Sequence, residues 1–301
     1  MIVSYPRLWR VLLFVTLAIA LVGQLLPPGN WSAYLALLLI LFVGIPHGAA
    51  DHKLFQQLLL QQFNWRYLAL FYVVYLGAMG GVVLLWWALP IVALISFVLL
   101  SAYHFGQANF HYLDQPTWVK KLLFIAWGLW VIATPIFFHF EETVPILTAL
   151  LGPLSFPLGP DQLALLAVGM TIVLALVLAV ILPKKLLLKE WLSLGCLLCL
   201  FWGTPMLLGF GLFFAGWHAL PSAIDQIRFF QTRTATYGFR QYLLAILPYS
   251  LLAVGGILFF LWLLGSTALT ELWPVVFTAI AALTLPHMLL LDQVYDRLEK
   301  A

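Results

Sequence analysis

Four histidines set the chemical question. His47, His104, His218 and His287 each lie deep inside an apolar stretch of the 301-residue chain, where an ionisable side chain is costly and by default marks function. A single such imidazole can also serve as a structural hydrogen-bonding residue between helices, so the deciding property is whether the four converge. Imidazole is the commonest metal ligand and suits iron, zinc, copper or nickel. No Cys or Glu accompanies the four at their depth, which argues against thiolate zinc, iron–sulfur and carboxylate-bridged di-iron sites. A closed four-His zinc site would be purely structural. Four neutral imidazoles around one Fe(II) would leave two of about six coordination positions open for dioxygen and a substrate or water.

The elements that must position them are membrane-spanning helices. Hydrophobic residues make up 64% of the chain and charged ones 8%, a composition foreign to soluble domains. Apolar runs of about 20 residues recur throughout, each long enough to cross ~30 Å of hydrocarbon, and in lipid such runs must be helices. The predicted fold is all-α, a polytopic transmembrane bundle forming one integral membrane domain over residues 1–301. Breaks at Pro, Gly, Asn and charged residues give ten spans, at roughly 8–26, 31–55, 65–88, 90–112, 118–140, 161–182, 189–203, 205–230, 240–264 and 273–298. The cuts near Pro90 and at Gly203-Thr204-Pro205 require very tight connections. Arg7 and Arg10 precede the first run, which ends at Pro27-Pro28-Gly29 without a small-residue cleavage site and reads as a permanent span. Residues 152–160, rich in Pro and Gly, read as a structured external loop.

Charge placement tests this division. All 14 Lys and Arg, from Arg7 to Lys300, fall at the termini or the even-numbered connections, whereas the third odd connection carries Glu141, Glu142 and Asp161. The positive-inside rule then puts both termini in the cytoplasm. The net charge of +3 gives no basis for nucleic-acid binding.

With the spans oriented, depth can be counted from each external start. His47 lies 16 residues in (31 to 47), His104 14 (90 to 104), His218 13 (205 to 218) and His287 14 (273 to 287). At ~1.5 Å per residue all four sit roughly 20–24 Å from the outer face. Helices two, four, eight and ten thus carry one His each at one level, which independent structural histidines have no reason to do. His52 and His111 fall near the cytoplasmic interface and His139 near the outer face.

The neighbouring residues have the character of a site. In Gly44-Ile45-Pro46-His47-Gly48-Ala49-Ala50-Asp51-His52, Asp51 follows His47 by one helical turn and could accept the far N–H of a ligand, fixing its tautomer. Its other reading is a capping or interfacial carboxylate paired with His52 or Lys53. In Ser101-Ala102-Tyr103-His104-Phe105-Gly106-Gln107, Tyr103 is a candidate catalytic group and Gln107 a candidate supporting one. Phe213-Phe214-Ala215-Gly216-Trp217-His218 and Thr284-Leu285-Pro286-His287-Met288 complete the set. Of 13 Trp, 11 Tyr and 23 Phe, most must be packing or interfacial-belt residues. Phe105, Phe213, Phe214 and Trp217 are the candidates for lining a flat tunnel for a long apolar substrate. Cys196 and Cys199, in an apolar run, read as small buried hydrophobes rather than a redox pair.

The Pro-His-Gly-x-x-Asp-His, Tyr-His-Phe-Gly, Trp-His and Leu-Pro-His-Met segments, in this order and at these separations, resemble the Brp/Blh family of bacterial membrane β-carotene 15,15′-dioxygenases. The resemblance runs from about residue 35 to 295. It implies a multi-pass protein of the bacterial inner membrane that uses Fe(II) and O2 to cleave β-carotene at its central double bond into two retinal molecules. It further implies His47, His104, His218 and His287 as iron ligands with Asp51 in support, a carotenoid entering from membrane lipid, and a microbial rhodopsin as retinal acceptor. Two features depart from the pattern. Several members carry a second His one turn after Trp-His, where this chain has Ser222. The segment after Tyr-His-Phe-Gly often holds a carboxylate, and here it reads Gln107-Ala108-Asn109.

Two other functions are weaker fits. A lipid desaturase or hydroxylase needs about eight His in clusters such as H-x-x-x-H, and this chain offers one per helix at the key level. A transporter, or a retinal or rhodopsin assembly factor with a His metal site, is the non-enzymatic alternative. Transporters tend to show internal repeats and midplane charges, and neither is evident.

Overall fold

The computed structural model describes residues 5–25, 29–59, 64–263, 265 and 269–299. Pro27, Pro28 and Lys300, used above to place the first connection and the last charge, lie outside the described residues. Among the described residues there are no strands, and ten helices are long and apolar enough to cross a membrane. They are α1 (Pro6–Gly23), a compound span over Trp31–Leu58, α4 (Trp65–Ala88), α5 (Pro90–Phe110), α6 (Thr117–Phe138), α8 (Pro160–Ile181), α9 (Lys184–Gly203), a second compound span over Met206–Gln231, α12 (Phe239–Leu263) and α13 (Leu269–Glu299), of which Leu272–Arg297 is the spanning part. The two compound spans contain α2 (Trp31–Leu39) with α3 (Asp51–Leu59), and α10 (Met206–Leu212) with α11 (Leu220–Gln231).

The tight connections expected at Pro90 and Pro205 are present, and proline explains them. A residue preceding proline is pushed out of the helical region, while proline itself suits the first turn of the next helix. Leu89 alone separates α4 from α5, with φ −142° and ψ 68°. Thr204 adopts φ −132° and ψ 150° before Pro205, its hydroxyl donating to the Leu200 carbonyl at 2.7 Å. Leu182 is similarly extended before Pro183.

The third odd connection holds more structure than the sequence suggested. Residues 152–159 form the expected loop, but Phe140–Leu151 ahead of it is a helix, α7. Glu141 and Glu142 lie in its first turn, where the positive end of the helix dipole favours them. Glu142 Oε2 accepts the Met206 N–H at 3.0 Å, and its Oε1 lies 3.4 Å from His139 Nδ1. Burial alone would raise the Glu142 carboxyl, but the His139 ring and the Met206 amide hold it below the usual value.

The chain divides into two compact units. One comprises Met1–Ile40 and Ala102–His218. Its apolar helices are tied by buried indole donors: Trp9 to Ser193 Oγ at 2.8 Å, Trp130 to Thr171 Oγ1 at 2.8 Å and Trp217 to Thr16 Oγ1 at 3.0 Å. Between the lower part of α5 and α6 the backbones touch. A Cβ on Gly106 would fall 2.0 Å from the Phe124 carbonyl oxygen, and one on Gly128 1.9 Å from that of Ala102. Only glycine permits this approach, the small-residue packing that joins helices in lipid. The free thiols Cys196 and Cys199 lie here too, Cys196 donating to the Leu13 carbonyl at 3.6 Å.

The other unit comprises Leu41–Ser101 and Ala219–Ala301. Here α12 packs across residues 45–50, and α13 packs on α4. Polar ties again close the apolar packing: Arg297 donates to the Leu58 carbonyl at 2.7 Å, and the Tyr72 and Tyr249 hydroxyls meet at 2.6 Å.

Candidate metal centre

Both compound spans lose α-helical geometry where a candidate histidine sits. In the first, a π-helical turn over Ile40–Gly44 leads into a 3-10 turn over Ile45–Ala50 that carries His47. In the second, a π-helical turn over Phe213–Ala219 carries His218. Each π-helical turn is followed two residues on by a proline, Pro46 or Pro221. A proline has no N–H to give and its ring crowds the carbonyl four residues back, so the preceding turn widens. Such turns recur at functional sites.

In the second-named unit, His47 and His287 face each other. Their ring centroids are 4.9 Å apart and the planes stand at 88°. His47 is 8% exposed and His287 4%. His287 Nδ1 lies 2.8 Å from Asp51 Oδ1, and the Tyr75 hydroxyl donates to Asp51 Oδ2 at 2.8 Å. His47 Nδ1 is bonded to the Gly44 carbonyl, while the His47 carbonyl accepts from Gln226 Nε2 at 2.9 Å. The Tyr242 hydroxyl in turn donates to Gln226 Oε1 at 3.0 Å. Acceptors at both Nδ1 atoms set one tautomer for the pair, with the proton on Nδ1 and the lone pair on Nε2, as metal-ligating histidines are commonly held. The donor set therefore fits a metal ion.

In the first-named unit, His104 and His218 make a second facing pair, with centroids 4.8 Å apart at 79°. The two are 3% and 2% exposed. Their frame is aromatic: Phe105 stands edge-on to His218 at 4.7 Å, and Phe214 stacks on it at 5.7 Å and 9°.

The remaining predicted residues divide between these settings. Asp51 supports a histidine, but the local reading of its partner is corrected. Its hydrogen bond goes to His287, 236 residues away, rather than to His47 one turn back. The 3-10 turn explains this, since four residues at three per turn leave Asp51 about 120° around from His47 rather than ~40°. Gln107 is buried. The ring of Tyr103 meets Phe124 edge-on at 5.7 Å. Phe213 packs on Phe105 at 5.5 Å and on Trp127 at 6.0 Å, and the Trp217 indole is the one bonded to Thr16. Ser222 is fully buried, 3.5 Å from Gln226 Nε2. His52 lies over the Tyr249 ring at 4.1 Å, His111 follows the end of α5, and His139 Nε2 is 2.8 Å from the Phe201 carbonyl. Sequence reading missed Tyr75, Gln226 and Tyr242. Gln226 alone gave a signal, a polar residue one turn beyond Ser222 in an apolar span.

A family model described as β-carotene 15,15′-dioxygenase matches residues 38–295, which contain all four histidines and every supporting group named above except Thr16. The chain belongs to the β-carotene 15,15′-dioxygenase family. A family relative, the β-carotene 15,15′-dioxygenase of uncultured marine bacterium 66A03, is 29% identical over 266 residues, covering 86% of this chain and 93% of its own. No solved structure matches. Membership agrees with the resemblance read from the four histidine segments.

Proposed function

We propose that this protein cleaves β-carotene, or a closely related carotenoid, oxidatively at its central double bond, and that His47, His104, His218 and His287 together hold one Fe(II). The observation that carries the reading is the pairing of these four intramembrane histidines in two edge-on couples within a family of carotenoid oxygenases. The common depth counted along their spans supports a single centre. The reaction balances without acid–base help: one O2 supplies both oxygen atoms, the carbon–carbon double bond breaks, and two aldehydes form. When bound, iron supplies the activation of dioxygen that a spin-paired polyene requires.

The protein's part is to hold and to exclude. Asp51 and the Gly44 carbonyl keep the protons of His287 and His47 on Nδ1. Phe105, Phe213 and Phe214 form an apolar wall beside His218, suited to holding a polyene in a fixed register and keeping water away. Trp217, in the same π-helical turn as Phe213 and Phe214, is anchored by its indole N–H to Thr16. The substrate enters from membrane lipid, the only phase that holds it. Charge asymmetry supports cytoplasmic termini in a bacterial inner membrane, and a microbial rhodopsin is a fitting acceptor of retinal.

The test is expression in bacteria that accumulate β-carotene. Cells should bleach and yield retinal, and the purified protein should carry about one iron per chain. Persistent colour with correctly inserted, iron-loaded protein would overturn the carotenoid assignment and favour an assembly factor. Stoichiometric zinc would overturn the oxygenase.

A further inference from the structure

Asp51 has two oxygens and both are used. One receives His287 Nδ1–H and the other receives the hydroxyl of Tyr75 from α4, each at 2.8 Å. Asp51 is 3% exposed, so its charge is shared between these donors rather than with water. How strongly it pulls on the His287 proton therefore depends on how strongly Tyr75 competes for the same carboxylate. A carboxylate relieved of one donor draws harder on the other, making the imidazole a more anionic, more electron-rich ligand. Strengthening the phenol does the reverse.

We infer that Tyr75 is a positioning residue that sets the electron-donating strength of His287 through Asp51, and thereby the Fe(III)/Fe(II) balance of the centre. The inference rests on His287 being an iron ligand. Tyr75 touches neither His47 nor His287 by hydrogen bond; its influence passes through one carboxylate. Its ring is seated on Phe71 at 5.3 Å, so removing the hydroxyl leaves the packing in place.

The experiment is a potentiometric titration of iron-loaded protein bearing Tyr75→Phe, Tyr75 replaced by 3-fluorotyrosine, or Asp51→Asn. Tyr75→Phe should shift the midpoint potential negative. Fluorotyrosine, a stronger donor that preserves the side-chain shape, should shift it positive, and so should Asp51→Asn, which removes the charge from the acceptor. The ordering, with phenylalanine below tyrosine and fluorotyrosine above it, is something a purely structural tyrosine would not produce. Equal potentials across the Tyr75 series, or shifts of one sign for both replacements, would overturn the role of Tyr75. If Tyr75→Phe fails to insert, the fluorotyrosine shift alone decides. Unsubstituted protein that takes up no iron would instead overturn the metal centre, leaving the two failures distinct.

Discussion

The two histidine pairs share a ring geometry and are set among different neighbours. His47 and His287 meet at 4.9 Å and 88°, His104 and His218 at 4.8 Å and 79°. The first pair is fixed by polar atoms: a backbone carbonyl, a carboxylate, a phenol and an amide. The second is framed by phenylalanine rings. One pair is held by hydrogen bonds that choose a tautomer, and the other is walled by rings suited to an apolar guest. Under the proposed function, the contrast would give tuning of the metal to the first pair and placement of the substrate to the second.

The comparison can be broken most decisively at the histidines. Replacing any one of the four with Ala should lower iron affinity by more than about 100-fold, the upper end for losing even an outer support, and abolish retinal formation. If only His47→Ala and His287→Ala lost iron, the aromatic-framed pair would not belong to the metal. Next in size is the close contact beneath the second pair. Gly106→Ala forces a Cβ into the Phe124 backbone and should cost about 1–3 kcal/mol or more of stability, read as a lower thermal midpoint in detergent.

A sharper contrast comes from one support of each kind. Gln226→Leu removes a donor from the buried His47 carbonyl and the acceptor of Tyr242. It should cost about 1–3 kcal/mol and weaken iron binding in titration. Phe105→Ala should leave iron content intact while raising KM for carotenoid by about tenfold, the worth of roughly 1.4 kcal/mol of apolar contact. Equal effects of both on iron would erase the distinction. The smallest effect lies away from both pairs. Glu142 ionises more easily folded than unfolded, so the hydrogen bonds its carboxylate accepts stabilise above about pH 4.5 and fade as pH falls through the folded value. Glu142→Gln should lower the thermal midpoint slightly at pH 7, by less than about 1 kcal/mol for so exposed a pair, and not at acid pH.

Much of this was legible in the chain because membranes punish exceptions. Proline, glycine and clustered basic residues mark span ends by rules that act locally, and even the one-residue turn at Leu89 could be read. The histidines stood out because little else at their depth ionises. What escaped was of two kinds. α7 lies in a connection judged by its prolines and glycines, although Pro145 sits inside the helix. The supports Tyr75 and Gln226 reach their partners across 24 and 179 residues of chain, a separation no periodicity encodes. Asp51 was found for its proximity to His47, yet the tighter turn swung it toward His287.

The π-helical turns have a consequence for angular phase. A regular helix advances ~100° per residue, so a face assigned at one end of a span can be followed to the other. One extra residue in a turn resets that count. In both compound spans the reset coincides with the point where the chain leaves one compact unit for the other, at Ile40/Leu41 and His218/Ala219. A face read on one side of the π-helical turn therefore cannot be carried to the other by counting ~100° per residue, and a single-residue deletion within 213–219 should return that turn to regular α-helical hydrogen bonding.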